Sequence, residues 1–164
     1  MDLYLIRHAE AIDLGERGVT EDEHRPLTER GERQSEALGV CLREREIQFD
    51  AVVSSPLLRA KQTAEIVLKA SGQTNLDIRF TPALVPDAKP KELARFLLKS
   101  SGERIALVGH LPHMAVFAAW LIGGKRAQLE IKKAAIALVS CGSCPMKGNG
   151  VLHWLVNPSW YMKK

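Results

Sequence analysis

The apolar run Leu3-Tyr4-Leu5-Ile6 stops at Arg7-His8, and this jump from core residues to cation-forming ones is the strongest constraint on the fold. A short run of Leu, Tyr and Ile reads as a strand buried on both faces. Such a strand ends in a guanidinium beside an imidazole for one of two reasons. Either the chain simply runs out into a solvated loop, or something anionic sits at the strand's end. Arg supplies a planar donor fork suited to phosphate or carboxylate. His is the side chain best suited to act as nucleophile or proton carrier near neutral pH. These two residues alone do not choose between the readings.

The same figure returns twice. Phe49-Asp50-Ala51-Val52-Val53 reads as a strand ending at Ser54-Ser55, and Arg104-Ile105-Ala106-Leu107-Val108 as one ending at Gly109-His110. Helical stretches lie between. Thr28 is positioned to cap a helix running to about Glu46, with Ala37, Leu38, Cys41 and Leu42 as its apolar stripe. Ser54-Ser55-Pro56 predicts a second helix, with a Ser cap and Pro in its first turn, buried through Ala60, Ala64, Val67 and Leu68 and closed by Ser71-Gly72. Leu76 to Phe80 reads as a strand, Lys91 to Lys99 as a short helix, and Pro112 to Leu121 as another. Residues 11–25 read as a polar surface loop with an acidic cluster, Glu21-Asp22-Glu23. Ala134 to Ser140 and Gly150 to Val156 predict an antiparallel hairpin. Alternating strands and helices imply right-handed crossovers. The expected fold is α/β: a three-layer α/β/α sandwich with a mostly parallel central sheet and an antiparallel C-terminal strand pair. Residues 1–164 are expected to form one domain.

Charge and cysteine content narrow the function classes. The net charge is +4, from 23 Lys and Arg against 19 Asp and Glu, with several lysines late in the chain at Lys132, Lys133, Lys147, Lys163 and Lys164. Aromatic residues are 5% and no long basic stripe exists, which disfavours nucleic acid and fits an anionic substrate or partner. No stretch approaches the ~20 apolar residues of a membrane span, and the N-terminus enters a strand without a leader pattern, so the expected location is the cytoplasm. Of three cysteines, Cys141 and Cys144 have the spacing of half a zinc site or a redox pair, but only His153 is nearby as a further ligand. A turn with incidental cysteines is the simpler reading.

In an open α/β sheet, ligands bind beyond the carboxyl ends of the strands. Arg7, His8, Arg59 and His110 can therefore meet, with Arg59 early in the helix after the second strand and that helix N-terminus favouring an anion. The set contains no paired acids, no metal-ligand cluster and no Gly-rich phosphate loop. Two Arg and two His suit a tetrahedral oxyanion held by side chains.

Leu5-Ile6-Arg7-His8-Ala9-Glu10 resembles the Arg-His-Gly signature of the histidine phosphatase (phosphoglycerate mutase-like) superfamily. The resemblance continues in order through Arg25-Pro26-Leu27-Thr28-Glu29-Arg30-Gly31, through Val53-Ser54-Ser55-Pro56-Leu57-Leu58-Arg59-Ala60-Lys61-Gln62-Thr63-Ala64, and through Leu107-Val108-Gly109-His110-Leu111-Pro112. It implies that His8 is the nucleophile, becoming a phosphohistidine. It implies that Arg7, Arg59 and His110 hold the phosphoryl oxygens, with His110 as an imidazolium. Oxyanion donors of this kind are worth about 3 kcal/mol each. Arg25 either joins the phosphate pocket or braces its loop. No cofactor and no metal are expected.

Two departures from the family pattern carry information. Ala9 replaces the signature Gly and is expected to narrow the pocket floor slightly. Larger members carry an acidic proton donor in a Leu-x-Glu motif; here Pro86 stands in that place, in Ala83-Leu84-Val85-Pro86-Asp87. Only 50 residues separate Arg59 from His110, which leaves no room for a large lid insertion. The short, acid-less form resembles the SixA-type phosphohistidine phosphatases. An imidazole leaving group needs less protonation than an alkoxide, for which general acid catalysis is worth about 10²–10⁴-fold. Glu10, Glu21, Asp22, Glu23 and Asp87 remain candidates for an acid. The resemblance implies a phosphorylated protein partner of histidine-phosphotransfer or phosphocarrier type, or a small phosphorylated substrate. The alternatives are a small-molecule phosphomonoesterase and a non-catalytic phospho-ligand binding module.

Overall fold

The computed structural model describes residues 1–124 and 127–162; Lys163 and Lys164 lie outside the described residues. Strands β1 (Asp2–Arg7), β2 (Ala51–Ser54), β3 (Ile78–Phe80), β4 (Arg104–Gly109), β5 (Ile136–Ser140) and β6 (Val151–Val156) form one sheet in the order β3-β2-β4-β1-β5-β6. The first four are mutually parallel, and β5 and β6 add as antiparallel strands at one side. Helices α1 (Glu29–Glu44), α2 (Leu58–Ser71), α3 (Pro90–Leu97) and α4 (His113–Leu121) complete a three-layer α/β/α arrangement.

Side-chain alternation along the strands builds the layers. Leu3 and Leu5 of β1 and Ile105 and Leu107 of β4 pack with Leu93, Leu97, Met114 and Phe117 of α3 and α4. The intervening residues Tyr4, Ile6, Ala106 and Val108 pack on the other face with Leu38, Leu42, Ala60, Ala64 and Val67 of α1 and α2. A strand covered on both faces must be apolar at every position, which explains the continuous runs in β1 and β4. Helices α1 and α2 pack closely because residue 39 is glycine: a Cβ there would lie 2.6 Å from the Val67 carbonyl oxygen and from the Ala70 Cβ.

Helix α1 begins as its sequence predicts, the Thr28 hydroxyl accepting the Gly31 N–H at 3.0 Å. Gly31 is required for a separate reason, since a Cβ would collide with the Glu10 carbonyl oxygen. Helix α2 differs from expectation. It starts at Leu58, and the Ser55 hydroxyl accepts the Leu57 N–H at 3.3 Å instead of capping a helix at Pro56. The 11–25 segment is more ordered than a plain loop: it holds 3₁₀ turns at Glu16–Gly18 and Asp22–His24 and a bridge from Ala11 to Leu27. Among the described residues, no helix is long and apolar enough to cross a membrane.

Candidate active site

Parallel pairing brings the strand ends together. Arg7 stands beside Gly109 and Ser54 beside Val108. The His8 N–H donates to the Gly109 carbonyl at 2.9 Å, and the Ser55 N–H to the Val108 carbonyl at 2.9 Å. Backbone around the dipeptide is tied to three further segments. The Ala9 N–H donates to the Thr63 hydroxyl of α2 at 3.0 Å, and the Glu10 N–H to the Gln34 side-chain oxygen of α1 at 2.9 Å. The Ala134 N–H donates to the carbonyls of Arg7 and His8, at 3.1 and 3.2 Å. Ala9 is fully buried, and its φ is not positive, so the backbone here does not call for glycine.

His8 is 7% exposed. Its Nδ1 lies 2.7 Å from the Ala9 carbonyl oxygen. A carbonyl only accepts, so Nδ1 carries the proton and Nε2 of the neutral ring keeps its lone pair. Burial pushes the His8 pKa down to about 3, with the charges of Arg59, Arg7 and Lys133 acting in the same direction and the Ala9 hydrogen bond opposing. The His110 ring lies 4.8 Å away, centroid to centroid, tilted by 50°. His110 is 1% exposed, and burial, followed by the charges of His8 and Arg59, lowers its pKa to about 2. Both rings are therefore neutral in the surroundings the protein itself provides. The imidazolium expected of His110 then belongs to the phosphoryl-bound state, where the field of a dianion favours its proton.

Arg7 donates Nη1 to the Ile131 carbonyl at 2.9 Å. Arg59, 4% exposed, donates Nη1 to the Asp22 carbonyl at 2.7 Å and Nη2 to the Asp22 carboxylate at 2.9 Å. The Nε atoms of Arg7 and Arg59 and both ring nitrogens of His110 are buried without a hydrogen-bond partner among the described residues. Leaving such groups unmatched costs about 1–3 kcal/mol each, more when charged, so this cluster favours an acceptor-rich anion.

Arg25 is fully engaged elsewhere. Its Nε donates to the Ile12 carbonyl at 2.6 Å, Nη1 to Asp22 at 2.9 Å and Nη2 to Asp13 at 3.1 Å. Asp22 thus joins Arg25 to Arg59. Burial alone would raise its carboxyl, but hydrogen bonds from the two guanidiniums outweigh this and hold the pKa below the ordinary value. An ionised, doubly paired carboxylate is not a proton donor, which removes Asp22 from the candidate acids. Glu21 and Glu23 are exposed beside His24, with His24 Nδ1 2.9 Å from Glu21. Asp87 is exposed, and Pro86 is half-buried. Glu10 accepts the Thr28 hydroxyl at 3.0 Å and lines a pocket beside Arg7.

Cys141 and Cys144 carry free thiols, and His153 pairs with the Ser140 hydroxyl at 2.7 Å. Two participants escaped sequence reasoning. Lys133 acts electrostatically on His8 from 125 residues away in sequence, through the segment before β5 that wraps Arg7-His8. Asp22 was legible only as one of three adjacent acids.

The family model for the histidine phosphatase superfamily (branch 1) matches residues 3–85. An uncharacterized protein of Picosynechococcus sp. is 29% identical over 99% of both chains. The mitochondrial serine/threonine-protein phosphatase Pgam5 of Drosophila ananassae is 43% identical over 67 residues, 41% of this chain and 22% of that protein. Among solved structures, the protein histidine phosphatase SixA complexed with tungstate superposes with a TM-score of 0.82 at 26% identity, covering 97% of this chain and 98% of that one. A phosphoserine phosphatase of Entamoeba histolytica in complex with phosphoserine shares the fold at a TM-score of 0.70 and 15% identity, covering 98% and 99%.

Proposed function

The chain belongs to the histidine phosphatase superfamily, and from that membership we propose that it removes phosphoryl groups from phosphohistidine on a partner protein through a covalent intermediate on His8. The observation that carries this reading is the state of His8: Nδ1–H committed to Ala9, Nε2 free, the ring neutral, and three cations within electrostatic reach. A neutral imidazole with an oriented lone pair is a nucleophile without prior deprotonation.

In the first step His8 Nε2 attacks phosphorus and the P–N bond to the substrate imidazole breaks. The leaving imidazole takes its proton from solvent. Arg7 and Arg59 hold the equatorial oxygens, and the dianion's field favours a proton on His110, which then donates to the third. In the second step water attacks phosphorus, the bond to Nε2 breaks, and inorganic phosphate leaves with His8 regenerated. Arg25 braces the loop that holds Arg59. The positive charge that Mg²⁺ supplies in other phosphoryl transfers comes here from guanidiniums and Lys133. We read residues 1–164 as one such domain without a large lid insertion, since the interval from Arg59 to His110 is filled by α2, β3, a 3₁₀ turn, α3 and β4.

The competing reading is a phosphomonoesterase, favoured by one feature: Glu10 lines the pocket beside Arg7 and offers a carboxyl group. Turnover of phosphoramidate against p-nitrophenyl and alkyl phosphates separates the two. The proposal expects a clear preference for phosphoramidate, and a preference for alkyl esters overturns it.

A further inference from the structure

A pocket of about 540 Å³ opens beside Arg7, lined by Arg7, Glu10, Arg30, Gln34, Lys132 and Lys133, with the Pro158–Met162 segment at its edge. Four cations face one carboxylate. Glu10 is already committed to Thr28 and lies 3.5 Å from Arg30. Lys132 has a loose contact with Glu130 at 3.6 Å. The cations come from separate elements: β1, α1 and the segment before β5. That last segment is held in place by the Arg7 bond to Ile131, by the Lys132 N–H donating to the Asn157 side chain at 3.1 Å, and by the Tyr161 hydroxyl donating to the Ala134 carbonyl at 2.6 Å. The basic wall is thus fixed relative to His8, while its outer side chains remain in solvent. Arg30 is 68% exposed and Lys132 59%.

We propose that this pocket receives acidic side chains flanking the phosphorylated histidine of the partner protein. The inference rests on the phosphohistidine reading above and names what surrounds the target on the partner. A small bis-anionic substrate would call for convergent buried donors that enclose it. Here the donors beyond Arg7 are spread around an open rim, which suits several solvated carboxylates on a protein surface, each contributing little and all contributing to encounter.

The test uses two labelled histidine peptides with identical backbones, one flanked by Glu and one by Gln. Binding of the unphosphorylated pair to the intact protein is measured by fluorescence anisotropy, alongside kcat/KM on the phosphorylated pair. The expected preference for the Glu peptide is about 3–10-fold, from two or three exposed ion pairs. It should shrink with added salt and fall toward unity in the Arg30→Ala/Lys132→Ala double variant. Equal binding of the two peptides by the unsubstituted protein overturns the proposal. So does a preference that survives the double substitution. The binding arm is independent of turnover, so a chain that fails to dephosphorylate histidine while still preferring the Glu peptide sinks the phosphohistidine reading and leaves the acidic-surface inference supported.

Discussion

Asp22 holds Arg59 at two points, its carbonyl oxygen accepting Nη1 at 2.7 Å and its carboxylate accepting Nη2 at 2.9 Å, while the other carboxylate oxygen takes Nη1 of Arg25. Arg59 has Nε left over, buried and unpartnered among the described residues. A guanidinium with both ends fastened has little freedom to turn, so the direction of its remaining donors is set before a substrate arrives. Preorganised donors of this kind stabilise developing charge without reorganisation during reaction.

Asp22 is therefore a positioning residue. Asp22→Ala should lower kcat/KM on phosphoramidate about tenfold, the scale of one hydrogen bond to a charged group. Loss in kcat should exceed the rise in KM, and Asp22→Asn, which keeps one acceptor, should recover part of it. Steady-state kinetics of both variants checks this; an unchanged or increased kcat/KM would mean that Asp22 competes with the phosphoryl group instead.

Stability should depend on pH through the buried histidines. Burial lowers the pKa of His8 to about 3, of His110 to about 2, and of His113 in the same direction. In the unfolded chain each titrates near 6.5. Below that value the unfolded state binds more protons than the folded state, so stability falls as pH falls toward the folded values, and is unaffected by these groups above it. Thermal unfolding midpoints followed from about pH 7 to about pH 4 should drop steadily. His113→Leu should flatten that slope by removing one of the three, and an identical slope in the variant would show that His113 is not held neutral.

Metal chelation should leave turnover unchanged. The groups around His8 are guanidiniums, an ammonium and a second imidazole, and Asp22, the carboxylate on Arg59, is already bound by two arginines. The cations in that set oppose a hard divalent ion such as Mg²⁺, which takes oxygen ligands. Assays with and without a chelator check this, and activity lost to chelation and restored by Mg²⁺ would contradict the mechanism.

Much of this arrangement is legible in the sequence because it depends on strand ends. Arg7-His8, Ser54-Ser55 and Gly109-His110 each follow an apolar run, and parallel pairing then forces them together. The start of α2 lies two residues beyond Pro56 because the chain uses the Ser55 capping pattern in the connection, where its hydroxyl accepts the Leu57 N–H. Asp22 and Lys133 were not readable as partners of Arg59 and His8. Both arrive through irregular segments, whose paths follow from tertiary hydrogen bonds and leave no periodicity in the sequence. The neutral state of His110 was equally hidden, since it depends on burial and on neighbouring charge.

The central claim is that His8 carries the phosphoryl group. Mixing the protein with ³²P-labelled phosphoramidate, quenching at early times and mapping the label tests it most directly. The account predicts one acid-labile, base-stable phosphoryl group per chain on Nε2 of His8, and no label in a His8→Ala variant that retains the native circular dichroism spectrum. Label on Ser55 or any other residue, or full turnover by His8→Ala, would contradict it.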